Sequence, residues 1–173
     1  MIRPCEEKDY DVICEIINDA AKLYKGVIPD ELYKEPYITK DKLKEEVEAG
    51  VNFWIYEENG QPVGVMGIQH VKDVTLIRHA YVLREKQKQG IGTKLLNHLM
   101  NLTDKPILIG TWAKANWAIR FYQKNGFKLV SQEEKDKLLK KYWSLPDLQI
   151  QTSVVLANKD WFIYSVSFSV SRY

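Results

Sequence analysis

Two short stretches of this chain combine residue types that could bind a phosphate and move a proton. The first is Gln87-Lys88-Gln89-Gly90-Ile91-Gly92, where glycines without a Cβ let the backbone turn sharply and bring its N–H groups near an anion. Because the turn would open a helix, unpaired N–H groups and the helix dipole would favour negative charge there, and Lys88 adds a cation. A glycine turn that simply starts a helix is the alternative interpretation.

The turn fits neither of the two familiar nucleotide signatures. No Gly-Lys-Ser/Thr follows it, as a P-loop would require, and no third glycine completes a dinucleotide fingerprint. The anion should therefore belong to another kind of ligand.

The elements on either side of the turn would position it. Residues 76–83 are rich in β-branched, aromatic and aliphatic residues, and the run is short enough for a strand. After the turn, Ile91, Leu95 and Leu99 recur at helical spacing. A strand, a turn and a helix in this order place the anion at the helix N-terminus.

The second stretch runs from residue 115 to residue 127 and contains Phe121-Tyr122-Gln123-Lys124-Asn125-Gly126-Phe127. It predicts a short helix that Gly126 ends at the C′ position. Gln-x-x-Gly-x-Gly opening one helix, followed by a second helix that ends Phe-Tyr-x-Lys-x-Gly-Phe, resembles the GCN5-related N-acetyltransferase (GNAT) superfamily of acetyl-CoA-dependent acyltransferases. The similarity covers most of the chain, from Ile2 to the region around Val154.

The order of predicted elements agrees with the fold that the resemblance implies. That fold is an α/β (α+β) arrangement with a mixed, mostly antiparallel central sheet and helices on both faces. The resemblance also implies that two central strands, residues 76–83 and 107–112, splay apart and admit the pantetheine arm of the cofactor. We expect a GNAT domain over residues 1–157. Residues 158–173, where serines alternate with apolar residues, are expected to form an extra strand or a disordered extension.

The resemblance implies acetyl-CoA as co-substrate, with its pyrophosphate on the glycine turn. For Asn116, which is one residue later than the family's usual Asn, capping the helix is the alternative. For Lys124 the alternative is a solvated surface cation. The residues expected to contact the cofactor are Tyr81, Val82, Gln87, Lys88, Gln89, Gly90, Ile91, Gly92, Thr93, Asn116, Tyr122 and Lys124.

Acyl transfer to an amine needs a base, a donor to the carbonyl oxygen and an acid for the leaving thiolate. The resemblance places the donor at the backbone N–H of Tyr81 or Val82 and the acid at Tyr122. The family's usual base positions hold Leu76 and Arg78, neither of which suits the role. His79 is the candidate base, provided that a bulge in the strand re-aims it. A relay of water, or a carboxylate such as Glu35 from the first loop, remains open.

Composition excludes several other classes. Lys and Arg number 25 and Asp and Glu 23, so the formal charge is only +2 and gives no general signal for nucleic acid. Two cysteines without CxxC spacing and three histidines do not suggest a metal site. A charged N-terminus and no long apolar run predict a cytoplasmic protein with no membrane segment.

The acceptor is the least determined part of the prediction. Tyr24, Tyr33, Tyr37 and Trp112 are expected to wall the acceptor site by analogy with the family, although plain packing accounts for them equally well. We expect a primary amine of a small molecule or a peptide, acetylated by direct attack. A non-catalytic acyl-CoA-binding module on the same fold is the alternative, and a homodimer is one arrangement that the sequence allows.

Overall fold

The structure of the protein is a computed structural model that describes residues 1–170. The chain divides into two compact units. The first comprises Met1–His70 and Ile77–Thr103, and the second comprises Val71–Leu76 and the chain from Asp104 onward.

The described chain contains seven strands and seven α-helices. The strands are β1 (Ile2–Pro4), β2 (Asn52–Glu58), β3 (Gln61–Val71), β4 (Val74–Val82), β5 (Ile107–Trp112), β6 (Lys128–Leu129) and β7 (Ser153–Ala157). The helices are α1 (Tyr10–Ala21), α2 (Lys40–Glu48), α3 (Ile91–Met100), α4 (Asn116–Lys124), α5 (Gln132–Tyr142), α6 (Asp147–Gln151) and α7 (Lys159–Val170).

In the first unit, β2 lies between β1 and β3 and pairs antiparallel with both. Asn59 and Gly60 connect β2 to β3 with positive φ angles of 50° and 76°, the conformation that an Asn-Gly hairpin turn requires. Apolar side chains of α1, α2, β2 and β3 form a core beneath this sheet. Its buried members are Ile13, Ile16, Ile17, Ile38, Leu43, Val51, Phe53, Ile55 and Val65.

In the second unit, β7 lies between β5 and β6 and pairs antiparallel with both. The first residues of β4 belong to this unit, where the Thr75 N–H donates to the Pro106 carbonyl at 2.9 Å. Helices α5, α6 and α7 cover a core whose largest buried members include Leu108, Leu138, Leu139, Tyr142 and Trp161.

The predicted fold class is confirmed, since the chain is a mix of helices and mostly antiparallel strands. The sequence pattern predicts strands over residues 74–82 and 107–112 and a hairpin at Asn59-Gly60, and all three agree with the structure. Within residues 1–170, no helix combines the length and the apolar character needed to cross a membrane.

The prediction of a strand or disorder after residue 158 is wrong for the described part of that segment, which forms helix α7. Asn158 opens the helix by accepting the Trp161 N–H on its side-chain oxygen at 3.4 Å. The Trp161 indole donates to Glu134 at 3.0 Å, and the Tyr164 hydroxyl donates to Asp73 at 2.8 Å. These two anchors are three residues apart, which suits a helix and not a strand. Residues 171–173 lie outside the described residues, and the domain boundary at 157 stays a prediction.

The alternation of side chains about Ile150, Thr152 and Val154 predicts a single strand over residues 149–156, and this prediction is only partly correct. Residues 147–151 form α6, and the strand β7 begins at Ser153. The Thr152 hydroxyl donates to the Leu148 carbonyl at 2.7 Å, so the last turn of the helix is closed by a side chain before the strand starts.

Candidate active site

The glycine turn has the backbone geometry that an anion cradle needs. Lys88 and Gly90 have positive φ angles of 63° and 83°, and Gly90 immediately precedes α3. Within residues 1–170, the backbone N–H groups of residues 88–93 have no hydrogen-bond acceptor, and the next N–H, of Lys94, donates to the Gly90 carbonyl. A row of unpaired donors at a helix N-terminus can bind phosphate oxygens.

Two of the three cations in residues 84–88 are already paired. The Arg84 guanidinium and backbone N–H both donate to Asp19, at 2.8 to 3.1 Å. The Lys86 ammonium lies 2.9 Å from a Glu58 carboxylate oxygen. The exposed Lys88 has no ion pair among the described residues. Lys88 is therefore the cation of this turn that a phosphate could recruit.

The other residues of the turn position it in the first unit. The Gln87 side-chain amide donates to the Val82 carbonyl at 3.1 Å, which ties the turn to the end of β4. Ile91 is buried, and a Cβ on Gly64 of β3 would lie only 3.0 Å from its side chain. The close approach of α3 to β3 therefore depends on this glycine. Gln89 is exposed, and Gly92 and Thr93 are half-buried in the first turn of α3.

His79 interrupts the regular conformation of β4. Its φ is +53°, a left-handed value that is uncommon for a residue with a Cβ and typical of a bulged strand position. The imidazole Nε2 lies 3.2 Å from Oε2 of Glu46 in α2, and the ring centroid lies 5.7 Å from that of Phe53. The change in backbone direction required for His79 to serve as a base is thus present at this residue.

Glu46 is a buried carboxylate that three basic side chains share. Besides His79, the Arg78 Nη1 lies 3.2 Å from Oε2 and the Lys42 Nζ lies 3.6 Å from Oε1. Arg78 also donates to the side chain of Gln69 at 3.2 Å. The hydrogen bond from His79, with the charges of Arg78 and Lys42, outweighs burial and lowers the pKa of Glu46 to about 2. Glu46 is therefore ionised across the neutral range.

Three tyrosines meet next to this part of the first unit. The Tyr81 hydroxyl hydrogen-bonds with those of Tyr24 and Tyr37, and the Tyr24 ring centroid lies 5.5 Å from Tyr37 and 6.4 Å from Tyr81. Burial raises the pKa of both Tyr24 and Tyr81. Tyr24 and Tyr81 are thus neutral, and the side chain of Tyr81 is held by other tyrosines.

The remaining predicted residues lie in the second unit. Tyr122 in α4 is buried, and its ring packs edge-on against Phe121 and Phe127 with centroid distances of 5.1 and 6.1 Å. Gly126 follows the C-cap with a φ of +92°, so the predicted end of the helix is confirmed. Lys124 is exposed.

The capping role considered for Asn116 is wrong. Ala115 occupies the N-cap position, Asn116 is the first helical residue and is exposed, and the cap has no side-chain hydrogen bond. The Asn116 N–H donates to the Lys114 carbonyl instead, so the backbone turn replaces the side-chain cap.

Sequence reasoning missed Glu46. Its signal is a carboxylate on the apolar face of α2, since Leu43 precedes it by three residues and Val47 follows it. Glu35, the carboxylate considered as a base, is exposed and accepts the Tyr33 hydroxyl at 2.8 Å. Within residues 1–170, no group of three or more His, Cys, Asp or Glu residues is arranged to hold a metal ion.

The chain is similar to known acetyltransferases in sequence and in fold. Residues 49–129 match a family described as the acetyltransferase (GNAT) domain. The PaiA N-acetyltransferase of Thermoplasma acidophilum, solved with coenzyme A, superposes with a TM-score of 0.70 at 17% identity, over 92% of this chain and 98% of that one. The ribosomal-protein-S18-alanine N-acetyltransferase of Escherichia coli has a TM-score of 0.65 at 17% identity, over 91% and 92%.

A third similar structure is larger. N-acetylglutamate synthase from Neisseria gonorrhoeae, solved with coenzyme A and N-acetyl-glutamate, has a TM-score of 0.62 at 18% identity over 91% of this chain but only 34% of its own. At these identities the structural similarity concerns the fold. The matched segment contains β4, the glycine turn and the Tyr122 helix, and most of the chain shares its fold with these acetyltransferases.

Proposed function

We propose that the protein is an acetyl-CoA-dependent N-acetyltransferase that acts on a primary amine of a small molecule or peptide. The observation that carries the proposal is the row of unpaired N–H groups over residues 88–93 beside the unpaired Lys88. These donors fit the pyrophosphate of coenzyme A, because they offer several hydrogen bonds, a helix dipole and one cation. Coenzyme A is present in the structures of two of the similar proteins, which supports the same ligand here.

The chemistry divides among residues of the chain. Bound acetyl-CoA supplies an acetyl group activated as a thioester. The backbone N–H of Tyr81 or Val82 donates to the carbonyl oxygen as negative charge develops on it. The acceptor nitrogen forms the new C–N bond, the C–S bond breaks, and the Tyr122 hydroxyl gives its proton to the departing sulfur. An acceptor ammonium loses two protons in becoming the amide: the one lost after attack replaces the proton of Tyr122, and the one lost before attack must be taken by a base.

His79 is the residue that we assign to take this proton. It lies two residues before Tyr81 in β4, and its left-handed backbone provides the bulge that the assignment needs. An imidazole changes its charge near neutrality and therefore suits a base acting on an ammonium group. The tyrosine cluster of Tyr24, Tyr37 and Tyr81 supports an acceptor with an apolar or aromatic body, since its rings offer apolar faces and its hydroxyls are already paired.

The test is acetyl-CoA-dependent thiol release with a panel of amines and peptides. We expect turnover in the wild type and, for Tyr122→Phe, a fall in kcat of about 10²-fold or more with acetyl-CoA binding retained. A hydroxyl added to the neighbouring ring should not restore activity, so the double variant Tyr122→Phe with Phe121→Tyr should remain as slow as Tyr122→Phe. Unchanged turnover in Tyr122→Phe would remove the assigned acid. Tight acetyl-CoA binding without turnover on any amine would favour a binding module instead.

The phosphate contact can be tested separately with two neighbouring lysines. Lys88→Gln should raise the Kd for acetyl-CoA by about 5- to 10-fold, because an unpaired cation beside a phosphate is lost. Lys86→Gln is the matched control, since Lys86 is already paired with Glu58, and it should change the Kd by less than about 2-fold. The Kd values are measured by isothermal titration calorimetry. If both substitutions change the Kd equally, Lys88 makes no special contact with the phosphate.

A further inference from the structure

We propose that Glu46 is a positioning residue for the reaction: its carboxylate holds the Nε2–H of His79, so that Nδ1 of the same ring takes the proton of the acceptor ammonium. The inference rests on the proposed function, because it concerns the base of that reaction. Neither the glycine turn nor the Tyr122 helix indicates this role. It comes from the packing of α2 on β4 in the first unit.

The contact with Glu46 determines which ring nitrogen of His79 can accept a proton. Oε2 of Glu46 and Nε2 of His79 are 3.2 Å apart, and Glu46 is only 8% exposed. An ionised carboxylate accepts hydrogen bonds and cannot donate them, so Nε2 must carry a proton and the lone pair of a neutral ring lies on Nδ1. Within residues 1–170, Nδ1 has no hydrogen-bond partner, and the His79 side chain is 19% exposed. Nδ1 is therefore able to accept a proton.

The surrounding cations keep Glu46 ionised whether or not His79 has taken a proton from the substrate. Arg78 from β4 and Lys42 from α2 are the other charged groups against this carboxylate, at 3.2 and 3.6 Å, and Phe53 covers the imidazole from β2. Since two permanent cations already balance Glu46, the carboxylate orients His79 and does not require a charged imidazole to be stable.

The proton balance of the step is simple. The acceptor ammonium gives one proton to Nδ1, and the freed lone pair of its nitrogen forms the C–N bond described above. The second proton that this nitrogen loses as the amide forms replaces the one that Tyr122 gives to the sulfur. The resulting imidazolium keeps its Nε2–H on Glu46, whose negative charge stabilises the new positive charge. The exposed edge of the ring then returns the proton to solvent, and the base is regenerated.

The kinetic test compares Glu46→Gln with Glu46→Asp and a matched control, Asp9→Asn. Asp9 is likewise a buried carboxylate paired with an arginine, but no predicted site residue contacts it. We expect Glu46→Gln to lower kcat by about 10- to 100-fold with the KM for acetyl-CoA unchanged. The acid limb of the kcat/KM profile should move to lower pH, because the imidazolium loses a neighbouring negative charge. Glu46→Asp should recover part of the rate.

Asp9→Asn should keep the wild-type profile, measured at a temperature where all variants are folded. A wild-type profile in Glu46→Gln, or the same displacement in Asp9→Asn, would overturn the proposal.

A second readout does not depend on activity. In ¹⁵N-labelled wild type, with the resonances assigned by comparison with His79→Gln, the two ring nitrogens of His79 should show the pattern of the Nε2–H tautomer. In Glu46→Ala they should show a mixture of tautomers. Identical patterns in both proteins would overturn the positioning role. Absence of thiol release in the wild type would instead contradict the proposed function, so the two failures are distinguishable.

Discussion

Two charged clusters in the first unit use opposite arrangements of the same groups. In the Arg3 cluster, one arginine is shared by two carboxylates: Arg3 makes a two-pronged contact with Asp9 at 2.8 and 2.9 Å and contacts Glu57 at 2.7 Å. In the Glu46 cluster, one carboxylate is shared by Arg78, His79 and Lys42, at 3.2, 3.2 and 3.6 Å.

The difference agrees with a structural role for the Arg3 cluster and with the role that we propose for the Glu46 cluster. The Arg3 cluster is short and saturated, since Asp9 also accepts the Glu6 N–H at 2.8 Å, and it joins β1 to β2 and to the turn before α1. The Glu46 cluster is looser, and two donors share the single oxygen Oε2. It also contains a ring nitrogen of His79 without a partner within residues 1–170.

The comparison predicts that the shared group at the centre of each cluster matters most for stability. Arg3→Gln leaves two carboxylates without a cation. Glu46→Gln leaves Arg78 without an anion, whereas Lys42 keeps its contact with Glu45 at 3.2 Å. Each should lower the free energy of unfolding by about 2 to 3 kcal/mol, below the full cost of breaking a buried pair because Arg3 and Arg78 are partly exposed. Urea unfolding at neutral pH measures the change.

The matched controls remove an outer member of each cluster. Glu57→Gln leaves Arg3 paired with Asp9, and Arg78→Gln leaves Glu46 with His79 and Lys42. Each should cost about 1 kcal/mol. If the outer substitutions cost as much as the central ones, the description of the clusters as one shared group with dependent partners is wrong.

Local signals were sufficient to predict the elements that carry the glycine turn. The limits of β4, the start of α3 and the Asn59-Gly60 hairpin depend on residues close together in the chain, where periodicity and turn chemistry act. Helix α7 could not be predicted in this way. Its serine alternation is a local strand pattern, but its anchors to Glu134 and Asp73 join residues 27 and 91 positions apart, and tertiary contacts override local preference.

The same distinction applies to the site. The turn around Gly90 is defined by a short motif, so its residues could be named from the sequence. The link between Glu46 and His79 joins residues 33 positions apart and also depends on the left-handed backbone of His79, which a histidine seldom adopts. The sequence could therefore suggest His79 as a candidate but not identify its partner.

A smaller effect is expected in the pH dependence of the contribution that Glu46 makes to the free energy of unfolding. Its pKa in the folded protein is about 2, against an ordinary value of 4.5. A lowered pKa means that this contribution is complete above about pH 5 and is lost as the pH falls from 4.5 toward 2. The shift corresponds to at most about 3 kcal/mol, and partial exposure of the partners reduces our expectation to about 2 kcal/mol.

The measurement is the difference in unfolding free energy between wild type and Glu46→Gln, followed from about pH 6 to about pH 2.5. Taking the difference removes the acid sensitivity that both proteins share, including that of Asp9, whose carboxyl pKa is also lowered by its hydrogen bonds with Arg3. The gap should shrink steadily below pH 5 and fall to about a quarter of its neutral value at the lowest pH, because protonated Glu46 and glutamine are both neutral. A gap that stays constant across this range would show that Glu46 stabilises the fold through packing, and the contrast with the Arg3 cluster would then no longer depend on charge.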